Sequence, residues 1–390
     1  MMGKSIKETL LGTLVHGEEV LNEIKVLREV SQDQLTAEDQ AEAVVRHLHP
    51  KFLNLVVTEI IDTGCNAKVF RFSSTDGYLP PFEAGQYLNI FTEIDGVRTS
   101  RPYSISSSPR QRAYYEITVA RAVKGFVSDY MLDQVKVGDH FQASCPAGVF
   151  RYQPVFHRKK MLLLGGGSGV TPFLSMIREV TQAGLDRDIV LIYGARTAEA
   201  ALFYEEMTHM SESFQNFQYH LVVSDENAKW DGPRGFITDE IIRSLVPDYL
   251  ERTCYICGPE VMNAFCVEQL QKLGVDHKHI RREMFGAAKD ITQEPGWPQE
   301  LTGQEVFKVT VNGDKVIEAR ANEPLLIALE RAGVRINVCC RSGECSLCRI
   351  QLVSGKVFLS KGMMLRKADE KYGYIHSCKS YPISDLEVWL

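Results

Sequence analysis

The 390-residue sequence contains no long hydrophobic run and no strong excess of charge of either sign. No window reaches the ~18 consecutive apolar residues that a membrane-spanning helix needs, so no membrane span is predicted. The 44 basic and 50 acidic side chains leave a net charge of −6, which gives no reason to expect nucleic acid as the main partner. With 44% hydrophobic and 24% charged residues, the chain is neither collagen-like nor mostly disordered.

Signals for secretion and for hydrolytic catalysis are also missing. The apolar stretch 10–15 is short and is followed by His16, Gly17 and two glutamates, so it lacks the uninterrupted core of a secretory signal. The sequence has no Ser–His–Asp array and no H-E-x-x-H motif. It has ten cysteines, but a secreted disulfide scaffold is usually shorter and denser in cysteine. We therefore expect a cytoplasmic protein whose cysteines carry thiolate chemistry.

The sequence pattern changes several times along the chain, which predicts more than one domain. Residues 1–50 repeat apolar side chains at helical spacing and predict a helical N-terminal extension, with a second helix from Thr36 to just before Pro50. Residues 51–156 contain short runs rich in Val, Ile, Phe and Tyr between turn residues, which predicts an antiparallel β-barrel. In residues 157–288, buried apolar strands alternate with helical stretches, which is typical of a parallel α/β domain.

The remaining residues predict a linker and a third domain. Residues 289–304 are rich in Gly, Pro and polar side chains, as linkers are. Residues 305–390 begin with alternating strands around Asn312-Gly313-Asp314, a hairpin signal. A helix from Pro324 to Ala332 follows, and after it comes a cluster of cysteines.

Four of these cysteines have the spacing of an iron–sulfur site. They follow the pattern C-x4-C-x2-C and then, after 29 intervening residues, a lone cysteine: Cys340, Cys345, Cys348 and Cys378. This is the plant-type arrangement for a [2Fe–2S] cluster, in which four thiolates hold two irons. The small residues Ser342 and Gly343 allow backbone amides to turn towards the sulfides. Zinc is the competing metal, but structural zinc sites generally use paired C-x2-4-C units. Cys339 is interpreted as a packed neighbour, since as a ligand it would change the spacing.

With these cysteines, residues 305–390 resemble the plant-type ferredoxin domain, a β-grasp fold. The chain from 51 to 390 resembles the single-chain flavin reductases of the phthalate, benzoate and phenylacetyl-CoA oxygenase systems, whose other two domains are similar to ferredoxin–NADP reductase. The order flavin, nicotinamide and C-terminal ferredoxin matches the phthalate dioxygenase reductase arrangement. The resemblance implies a multidomain α+β and α/β protein with a β-barrel flavin domain, a parallel α/β nicotinamide domain and a β-grasp ferredoxin domain.

A short extended segment, Arg101-Pro102-Tyr103-Ser104, combines the groups that a flavin needs. A cation can bind its pyrophosphate, a flat ring can stack on the isoalloxazine, and a hydroxyl can hydrogen-bond near N5. The resemblance assigns these roles to Arg101, Tyr103 and Ser104. Further on, Gly125-Phe126-Val127-Ser128 heads a predicted helix, whose N-terminal amides and serine hydroxyl suit an anion. The resemblance implies a flavin phosphate there and favours FAD over FMN.

A glycine-rich loop follows a buried strand and opens a helix. Its residues are Gly165, Gly166, Gly167, Ser168, Gly169, Val170 and Thr171, with Pro172 in the first helical turn. Glycines let the backbone approach a pyrophosphate, and a helix N-terminus stabilises its charge. A bare glycine run is weak evidence, but the G-G-G-S-G-V-T-P form matches the reductase family and predicts a site for NAD(P)H.

Three later segments support this nicotinamide site. Tyr193-Gly194-Ala195-Arg196 ends the next strand, where the ligands of open α/β sheets gather. Cys257-Gly258-Pro259 matches the C-G-P-x-x-M motif of the family, and the resemblance places Cys257 near nicotinamide C4 and flavin N5; a small buried strand residue is the alternative. Glu283-Met284-Phe285 ends the domain where relatives have an aromatic residue, so Phe285 either positions the nicotinamide or belongs to the core.

The choice of coenzyme depends on the pair Ser224-Asp225. NADP-using relatives often have an arginine after this serine, whereas Asp225 would repel a 2′-phosphate and suits a free 2′-hydroxyl. NADH is therefore favoured over NADPH. Arg196 and Arg234 are the basic residues that would reverse this preference.

Together these sites predict an oxidoreductase in which NADH delivers a hydride to the flavin, and single electrons then pass through the cluster to a separate acceptor protein. The residues assigned to the chemistry itself are Ser104, Cys257 and Phe285. The segment 305–390 contains 13 basic and 10 acidic side chains, so an acidic acceptor is expected to dock on it. The expected docking residues are Lys361, Arg366, Lys367 and Lys371; a solvated charged face is the alternative.

Other interpretations stay open for the acceptor and for the extension. The same relay would serve a non-oxygenase acceptor such as a hybrid-cluster protein. A redox-sensing module, with residues 1–50 as a partner-binding segment, is a further alternative. An electron-transfer subunit of the dihydroorotate dehydrogenase type is disfavoured because residues 305–338 precede the cluster. The terminal acceptor does not follow from the fold.

Overall fold

The computed structural model describes residues 16–32, 44–45, 48, 50–123, 125–283, 285–286 and 290–390. The chain divides into two units, 1–51 and 52–390. In the first unit, helix α1 spans Gly17–Gln32, and residues 44, 45 and 48 are also helical. The predicted start of a second helix, Thr36, lies outside the described residues. Within the described ranges, no helix is both long enough and apolar enough to cross a lipid bilayer.

The flavin domain is a curled antiparallel sheet of six strands in the order β4-β3-β6-β1-β2-β5. The strands are β1 (Leu53–Asp62), β2 (Ala67–Ser74), β3 (Tyr87–Ile94), β4 (Val97–Ser104), β5 (Tyr115–Ala120) and β6 (His140–Ala143). A bridge between Ile105 and Ile117 links the two edge strands, and alternate side chains such as Phe70 and Phe72 fill the interior. Helix α2 (Phe126–Asp133) packs Val127 into the same core. The predicted antiparallel domain is confirmed.

The nicotinamide domain is a five-stranded parallel sheet in the order β11-β10-β7-β8-β9. Its strands are β7 (Lys160–Gly166), β8 (Asp188–Ala195), β9 (Phe217–Val223), β10 (Thr253–Cys257) and β11 (Ile280–Glu283), and its helices are α3 (Thr171–Ala183), α4 (Tyr204–Ser213), α5 (Asp239–Leu245) and α6 (Glu260–Lys272). The strand order reverses between β7 and β10, and a ligand crevice forms at such a point. The predicted parallel α/β fold is confirmed.

The ferredoxin domain contains a five-stranded mixed sheet in the order β13-β12-β18-β14-β16 and a two-stranded sheet, β15-β17. The strands are β12 (Val306–Val311), β13 (Lys315–Arg320), β14 (Arg349–Ser354), β15 (Val357–Leu359), β16 (Tyr374–His376), β17 (Ser380–Pro382) and β18 (Leu386–Trp389); the helices are α7 (Leu325–Arg331) and α8 (Lys367–Lys371). Part of the predicted linker, 289–304, packs against this domain, because Ile291 and Trp297 form an apolar cluster with Ala321 and Tyr381.

Candidate functional site

The last residues of β4 carry the predicted flavin segment. Arg101 Nη1 donates to Thr99 Oγ1 (2.9 Å) and to the carbonyl oxygen of Ser100 (2.7 Å). Burial, and then the nearby Arg341 guanidinium, lower the pKa of Arg101 to about 10. Among the described residues, no carboxylate makes an ion pair with Arg101. A buried cation without a paired anion is costly, so this position fits the negative pyrophosphate of a flavin.

Tyr103 and Ser104 complete this segment. Ser104 is 4% exposed, and its hydroxyl has no hydrogen-bond partner within the part of the chain that the structure describes. Buried hydroxyls are normally satisfied, so the free Ser104 hydroxyl fits a cofactor atom that hydrogen-bonds there. Tyr103 packs against the core of the sheet, and burial raises the pKa of its phenol to about 12. The segment therefore presents a neutral ring and a free hydroxyl side by side.

The predicted phosphate loop precedes α2. A Cβ atom on Gly125 would lie 1.9 Å from Ser128 Oγ, so the close turn requires glycine. The Ser128 hydroxyl accepts a hydrogen bond from the Ala122 amide (3.1 Å). Phe126 is exposed, whereas the Val127 side chain is buried in the core. At Val127, therefore, only the backbone could contact a phosphate.

The glycine-rich loop continues β7 into a short 3-10 turn, Gly167–Val170, and then into α3. Thr171 Oγ1 donates to the Ser168 carbonyl (2.8 Å). A Cβ atom on Gly169 would lie 2.2 Å from the carbonyl oxygen of Cys257, and one on Gly166 would lie 2.2 Å from Met262 Sδ. The glycines thus allow this loop to pack directly against the Cys257-Gly258-Pro259 segment.

Three strand ends come together at this edge of the parallel sheet. Cys257 on β10 and Tyr193 on β8 both pair with Gly165 on β7, and the Tyr193 hydroxyl donates to the Gly167 carbonyl (2.9 Å). Cys257 is fully buried. Burial, and then the Glu283 carboxyl, raise the pKa of the Cys257 thiol well above its usual range. A protonated thiol can pack and donate a hydrogen bond, but it is not a nucleophile.

Glu283 is a residue whose importance sequence reasoning missed. It pairs with Cys257 across β10 and β11, is 7% exposed, and its Oε2 has no hydrogen-bond partner among the described residues. Burial, and then the Glu344 carboxyl, raise the pKa of Glu283 well above its usual range, which keeps a protonated carboxyl beside the thiol. The sequence contains no local signal for this role, because Glu283 pairs with Cys257 only in the folded sheet. Phe285, two residues later, is 41% exposed.

The two strand ends predicted to select the coenzyme lie side by side. The Asp225 amide donates to the Arg196 carbonyl (3.0 Å), and Arg196 is exposed. The guanidinium of Arg234 donates to four carbonyl oxygens of the adjoining loop, those of Asp225, Glu226, Ala228 and Trp230. These bonds, all made by Nη1 and Nη2, hold the Arg234 guanidinium in the loop.

The four predicted cluster cysteines form two pairs. Cys340 packs with Cys345 in one cluster of side chains, and Cys348 packs with Cys378 in another. Cys340 Sγ also accepts from the amides of Ser342 (3.4 Å) and Cys345 (3.3 Å), as thiolates on iron do. Two pairs of thiols with inward amides fit a cluster of two irons, each held by two cysteines. Arg341 and Ser346 have φ angles of 54° and 59°, so the loop holds strained backbone.

The flavin and nicotinamide domains share a buried ion-pair network. Arg178 on α3 donates to Glu116 on β5 (2.5 Å) and to Glu206 (2.7 Å), and Glu116 also pairs with Arg71 (3.1 Å). The Arg178 and Arg71 guanidinium groups lower the pKa of Glu116 despite its burial. In addition, the Ser175 hydroxyl donates to the Ser107 carbonyl (2.7 Å). These bonds fix α3, which follows the glycine-rich loop, on the flavin domain.

The flavin and ferredoxin domains meet through the residues around the cluster loop. Arg341 pairs with Glu330 of α7 and donates to Thr99 Oγ1 (3.2 Å) and Ser100 Oγ (3.4 Å) on β4. Asn89 on β3 donates to the Val338 carbonyl (2.9 Å). The loop that carries three of the four cysteines is therefore bound to the strand that carries Arg101.

Comparison with known families agrees with this arrangement. Residues 54–152 match the oxidoreductase FAD-binding domain family, residues 163–268 the oxidoreductase NAD-binding domain family, and residues 309–382 the 2Fe-2S iron-sulfur cluster binding domain family. The chain thus has FAD-binding, NAD-binding and [2Fe–2S] domains in this order, as the sequence predicts.

Similar proteins have the same organisation along most of their length. The glycine betaine monooxygenase reductase subunit of Chromohalobacter salexigens is 30% identical over 348 residues, which cover 86% of this chain and 94% of the relative. The stachydrine N-demethylase reductase subunit Stc4 of Rhizobium meliloti is 29% identical and covers 83% of this chain and 92% of that protein. The structure of phthalate dioxygenase reductase superposes with a TM-score of 0.66 at 27% identity, covering 87% of this chain and 98% of that one.

These similarities extend through all three domains. Each of the three domains of phthalate dioxygenase reductase has a counterpart in residues 52–390 of this chain. The chain belongs to the family of single-chain flavin and [2Fe–2S] reductases, and it passes electrons from NAD(P)H by way of FAD and the cluster to a separate acceptor protein.

Proposed function

We propose that this reductase delivers electrons from NADH to the oxygenase component of a monooxygenase or demethylase. One observation carries the proposal: Arg341 of the cluster loop donates hydrogen bonds to Thr99 and Ser100 on the strand that bears the flavin segment. Glu344 of the same loop adds to the burial that raises the pKa of Glu283 in the nicotinamide domain. A single unit thereby brings the three predicted cofactor sites next to one another. The related glycine betaine and stachydrine systems support an oxygenase or demethylase as the acceptor.

We propose that the flavin lies along the end of β4. Arg101 would neutralise its pyrophosphate, Tyr103 would stack on its ring, and the free Ser104 hydroxyl would hydrogen-bond near N5. The amides of residues 125–128 and the Ser128 hydroxyl would bind phosphate at the start of α2. When bound, the flavin accepts a hydride and releases electrons singly; the protein contributes orientation and a water-poor environment.

The nicotinamide coenzyme would bind across the crevice between β7 and β10. In this proposal, the amides of Gly165, Gly166, Gly167, Ser168 and Gly169 and the N-terminus of α3 at Thr171 hold the pyrophosphate. The Cys257 thiol, with Gly258 and Pro259 behind it, and Phe285 limit where the nicotinamide ring can lie. The cluster would be held by Cys340, Cys345, Cys348 and Cys378.

Anaerobic reduction of the holoenzyme with NADH tests the relay. The flavin absorbance should bleach first and the cluster absorbance should follow. Loss of the Ser104 hydrogen bond in Ser104→Ala should slow flavin reduction about tenfold, because one hydrogen bond is worth about 1–1.5 kcal/mol. Ser73→Ala, at a half-buried serine of the same sheet, is the matched control. A cluster that stays oxidised while the flavin is fully reduced would contradict the proposal.

We propose NADH as the coenzyme because Asp225 lies beside Arg196 and because Arg234 is held by four backbone carbonyls. The kcat/KM for NADH should exceed that for NADPH, and Asp225→Ser should narrow the difference by removing charge repulsion. Glu226→Gln, at the neighbouring exposed carboxylate, is the control. Equal kcat/KM values for the two coenzymes in the unaltered enzyme would exclude this role for Asp225.

We propose that the acceptor docks on the exposed face beside the cluster loop. Lys361, Arg366, Lys367 and Lys371 are all exposed, and the Met364 amide donates to the Gly343 carbonyl (3.0 Å), which holds this segment against the loop. Met364 and Leu347 are 66% and 52% exposed. A basic rim around exposed apolar side chains suits an acidic protein partner.

Turnover with the oxygenase component of the glycine betaine system of Chromohalobacter salexigens is the corresponding test. Reversing the charges at Arg366 and Lys367 should raise the KM for the oxygenase and weaken its dependence on salt, since rim charges act mainly on association. Charge reversal at Lys315 and Arg320 is the control. Both residues lie on β13, the edge strand of the five-stranded sheet at the far side from β16. Unchanged KM and salt dependence would show a merely solvated face.

A further inference from the structure

Tyr87 and Cys339 make a contact that none of the predicted cofactor sites uses. Tyr87 begins β3, is 7% exposed, and pairs directly with Ser104 at the end of β4. Its side chain packs against Cys339, and burial together with this neighbouring thiol raises the pKa of the Tyr87 phenol. Cys339 immediately precedes Cys340, and Tyr87 shares one apolar cluster with both cysteines. A single side chain thus connects the end of the flavin strand with the start of the cluster loop.

Neighbouring side chains hold the same segment from the flavin domain. Asn89, two residues from Tyr87 on the same face of β3, donates to the Val338 carbonyl (2.9 Å). Residues 338 and 339 are therefore fixed on the flavin domain immediately before the first cysteine of the cluster pattern. The Cys339 side chain packs with Tyr87, whereas the inward amides of the loop are those of Ser342 and Cys345.

We propose that Tyr87 and Cys339 are positioning residues for electron transfer from the flavin to the cluster. They hold Cys340 against the strand end that bears Ser104, and so set the separation that a single electron must cross. In this step one electron leaves the reduced flavin and enters the oxidised cluster; no bond forms, and neither Tyr87 nor Cys339 is oxidised or reduced. The inference rests on the proposed place of the flavin beside Arg101 and Ser104.

Anaerobic stopped-flow reduction of the holoenzyme by NADH separates the two electron-transfer steps. In Tyr87→Leu, which loses both the ring and the hydroxyl, cluster reduction should be slowed on the order of tenfold or more, as for other losses of positioning. Tyr87→Phe keeps the ring and should show a smaller loss. Flavin reduction by NADH should change far less than cluster reduction in both variants. Tyr115→Phe, a buried tyrosine of the same sheet bonded to the Pro80 carbonyl, is the matched control.

Two further measurements do not depend on turnover. Hydrogen exchange at residues 338–341 of the holoenzyme should be faster in Tyr87→Leu and Tyr87→Phe than in Tyr115→Phe, because the segment loses its anchor. Cys339→Ser should retain the full cluster absorbance, whereas Cys340→Ser should lose it.

Cluster reduction at the unaltered rate in Tyr87→Leu, or loss of the cluster in Cys339→Ser, would overturn the inference. Failure of the proposed flavin site would look different, since NADH would then reduce the flavin of Ser104→Ala at the normal rate. If Tyr87→Leu does not fold, the ratio of the two rates in Tyr87→Phe decides, and an unchanged ratio overturns the inference.

Discussion

The flavin domain meets its two neighbours through junctions of different kinds. Against the nicotinamide domain, Ala84 and Phe150 enter one continuous apolar cluster, and Glu116 and Arg178 form a buried ion pair at 2.5 Å. Against the ferredoxin domain, the apolar cluster is small, being formed by Tyr87, Cys339 and Cys340, and the other contacts are polar, with Asn89 donating to the Val338 carbonyl. The first junction resembles a domain core, and the second resembles an interface between separate proteins.

The difference follows the chemistry that crosses each junction. Hydride transfer requires the reacting atoms to approach within ~3–3.5 Å in a fixed orientation, which a core-like junction supplies. Electron transfer to the cluster forms no bond, so a smaller polar junction suffices. A polar junction also separates at lower cost than an apolar one. We therefore expect the nicotinamide domain to be held on the flavin domain more rigidly than the ferredoxin domain is.

The largest expected effect comes from removing the cation of the first junction. In Arg178→Met, Glu116 keeps Arg71 but loses its other cationic partner. The Glu116 carboxylate remains buried, because only 3% of its side chain is exposed. Breaking a buried pair in this way typically costs about 3–5 kcal/mol. Urea denaturation followed by flavin fluorescence should show this loss in the free energy of unfolding. Arg243→Met, at an exposed ion pair with Asp239, is the control, and an equally small effect in both variants would contradict a core-like junction.

The nicotinamide domain should also be destabilised in acid because of His157, whose partners Tyr255 and Arg281 lie in the same domain. Arg281 Nε donates to His157 Nε2 (2.9 Å), and this bond requires a neutral imidazole. Burial, and then Arg281, lower the pKa of His157 to about 4. The unfolded chain binds a proton from pH ~6.5 downwards while the folded chain does not until pH ~4, so this group costs about 1.4 kcal/mol of stability per pH unit over that range.

The free energy of unfolding measured from pH 7 to pH 4 checks this prediction. His157→Gln should flatten the pH dependence between pH ~6.5 and pH ~4, since the titrating group is gone. His209→Gln, at an exposed position of α4, should leave the slope unchanged. A slope that His157→Gln does not alter would assign the acid sensitivity to other groups.

A smaller effect is expected at the second junction in Asn89→Ala. This change removes the bond to Val338 and a second bond to Ser100 Oγ (3.0 Å), and it leaves a buried carbonyl without its donor, at a cost of about 1–3 kcal/mol. Hydrogen exchange at residues 338–341 should accelerate about tenfold if the cost is near 1.4 kcal/mol. Asn54→Ala, at an exposed asparagine of the same sheet, is the control. If hydrogen exchange at residues 338–341 stays slow in Asn89→Ala, the second junction is as stable as the first.

The smallest expected effect comes from Thr99→Val. The Thr99 hydroxyl donates to Glu330 Oε2 (3.0 Å) and accepts from Arg341, but Glu330 and Arg341 remain paired without it. We expect a loss of about 0.5–1.5 kcal/mol in the docking of the ferredoxin domain, seen as modestly faster exchange of α7. Thr58→Val, at an exposed strand position, is the control; a loss as large as that of Asn89→Ala would place the main contact of the junction at Thr99.

Local patterns predicted the architecture well because each depends on residues that are close in the chain. Apolar residues that alternate along short runs predict the antiparallel sheet, and strands followed by glycines and a helix predict the parallel sheet. The spacing of the cysteines predicts the iron–sulfur domain. The predicted linker shows where local patterns mislead. Its Gly, Pro and polar composition is that of a loop, yet Trp297 packs against Tyr381 of the ferredoxin domain, and composition does not record a contact made across such a distance.

The residues that only the structure identifies come from distant segments. Glu283 acquires its raised pKa from burial beside Cys257 and from Glu344, and the Arg234 guanidinium is held in its loop by bonds from Nη1 and Nη2 to four backbone carbonyls. In the sequence, Arg178 is an ordinary residue of a predicted helix. Its ion pair with Glu116 of the flavin domain is seen only in the structure. The environment of each side chain is set by packing, which a linear pattern does not contain.

The sequence by itself indicated the classes of cofactor and their order, a flavin, a nicotinamide and a [2Fe–2S] cluster, because thiolate spacing, a strand–glycine–helix loop and an Arg-x-Tyr-Ser segment each carry chemistry within a few residues; the choice of FAD followed from the resemblance to the reductase family. The tertiary structure alone decided how those sites meet. It brought Tyr87 onto Cys339 and Arg178 onto Glu116, pairs that lie far apart in the chain and whose contact depends on the burial of whole domains against one another.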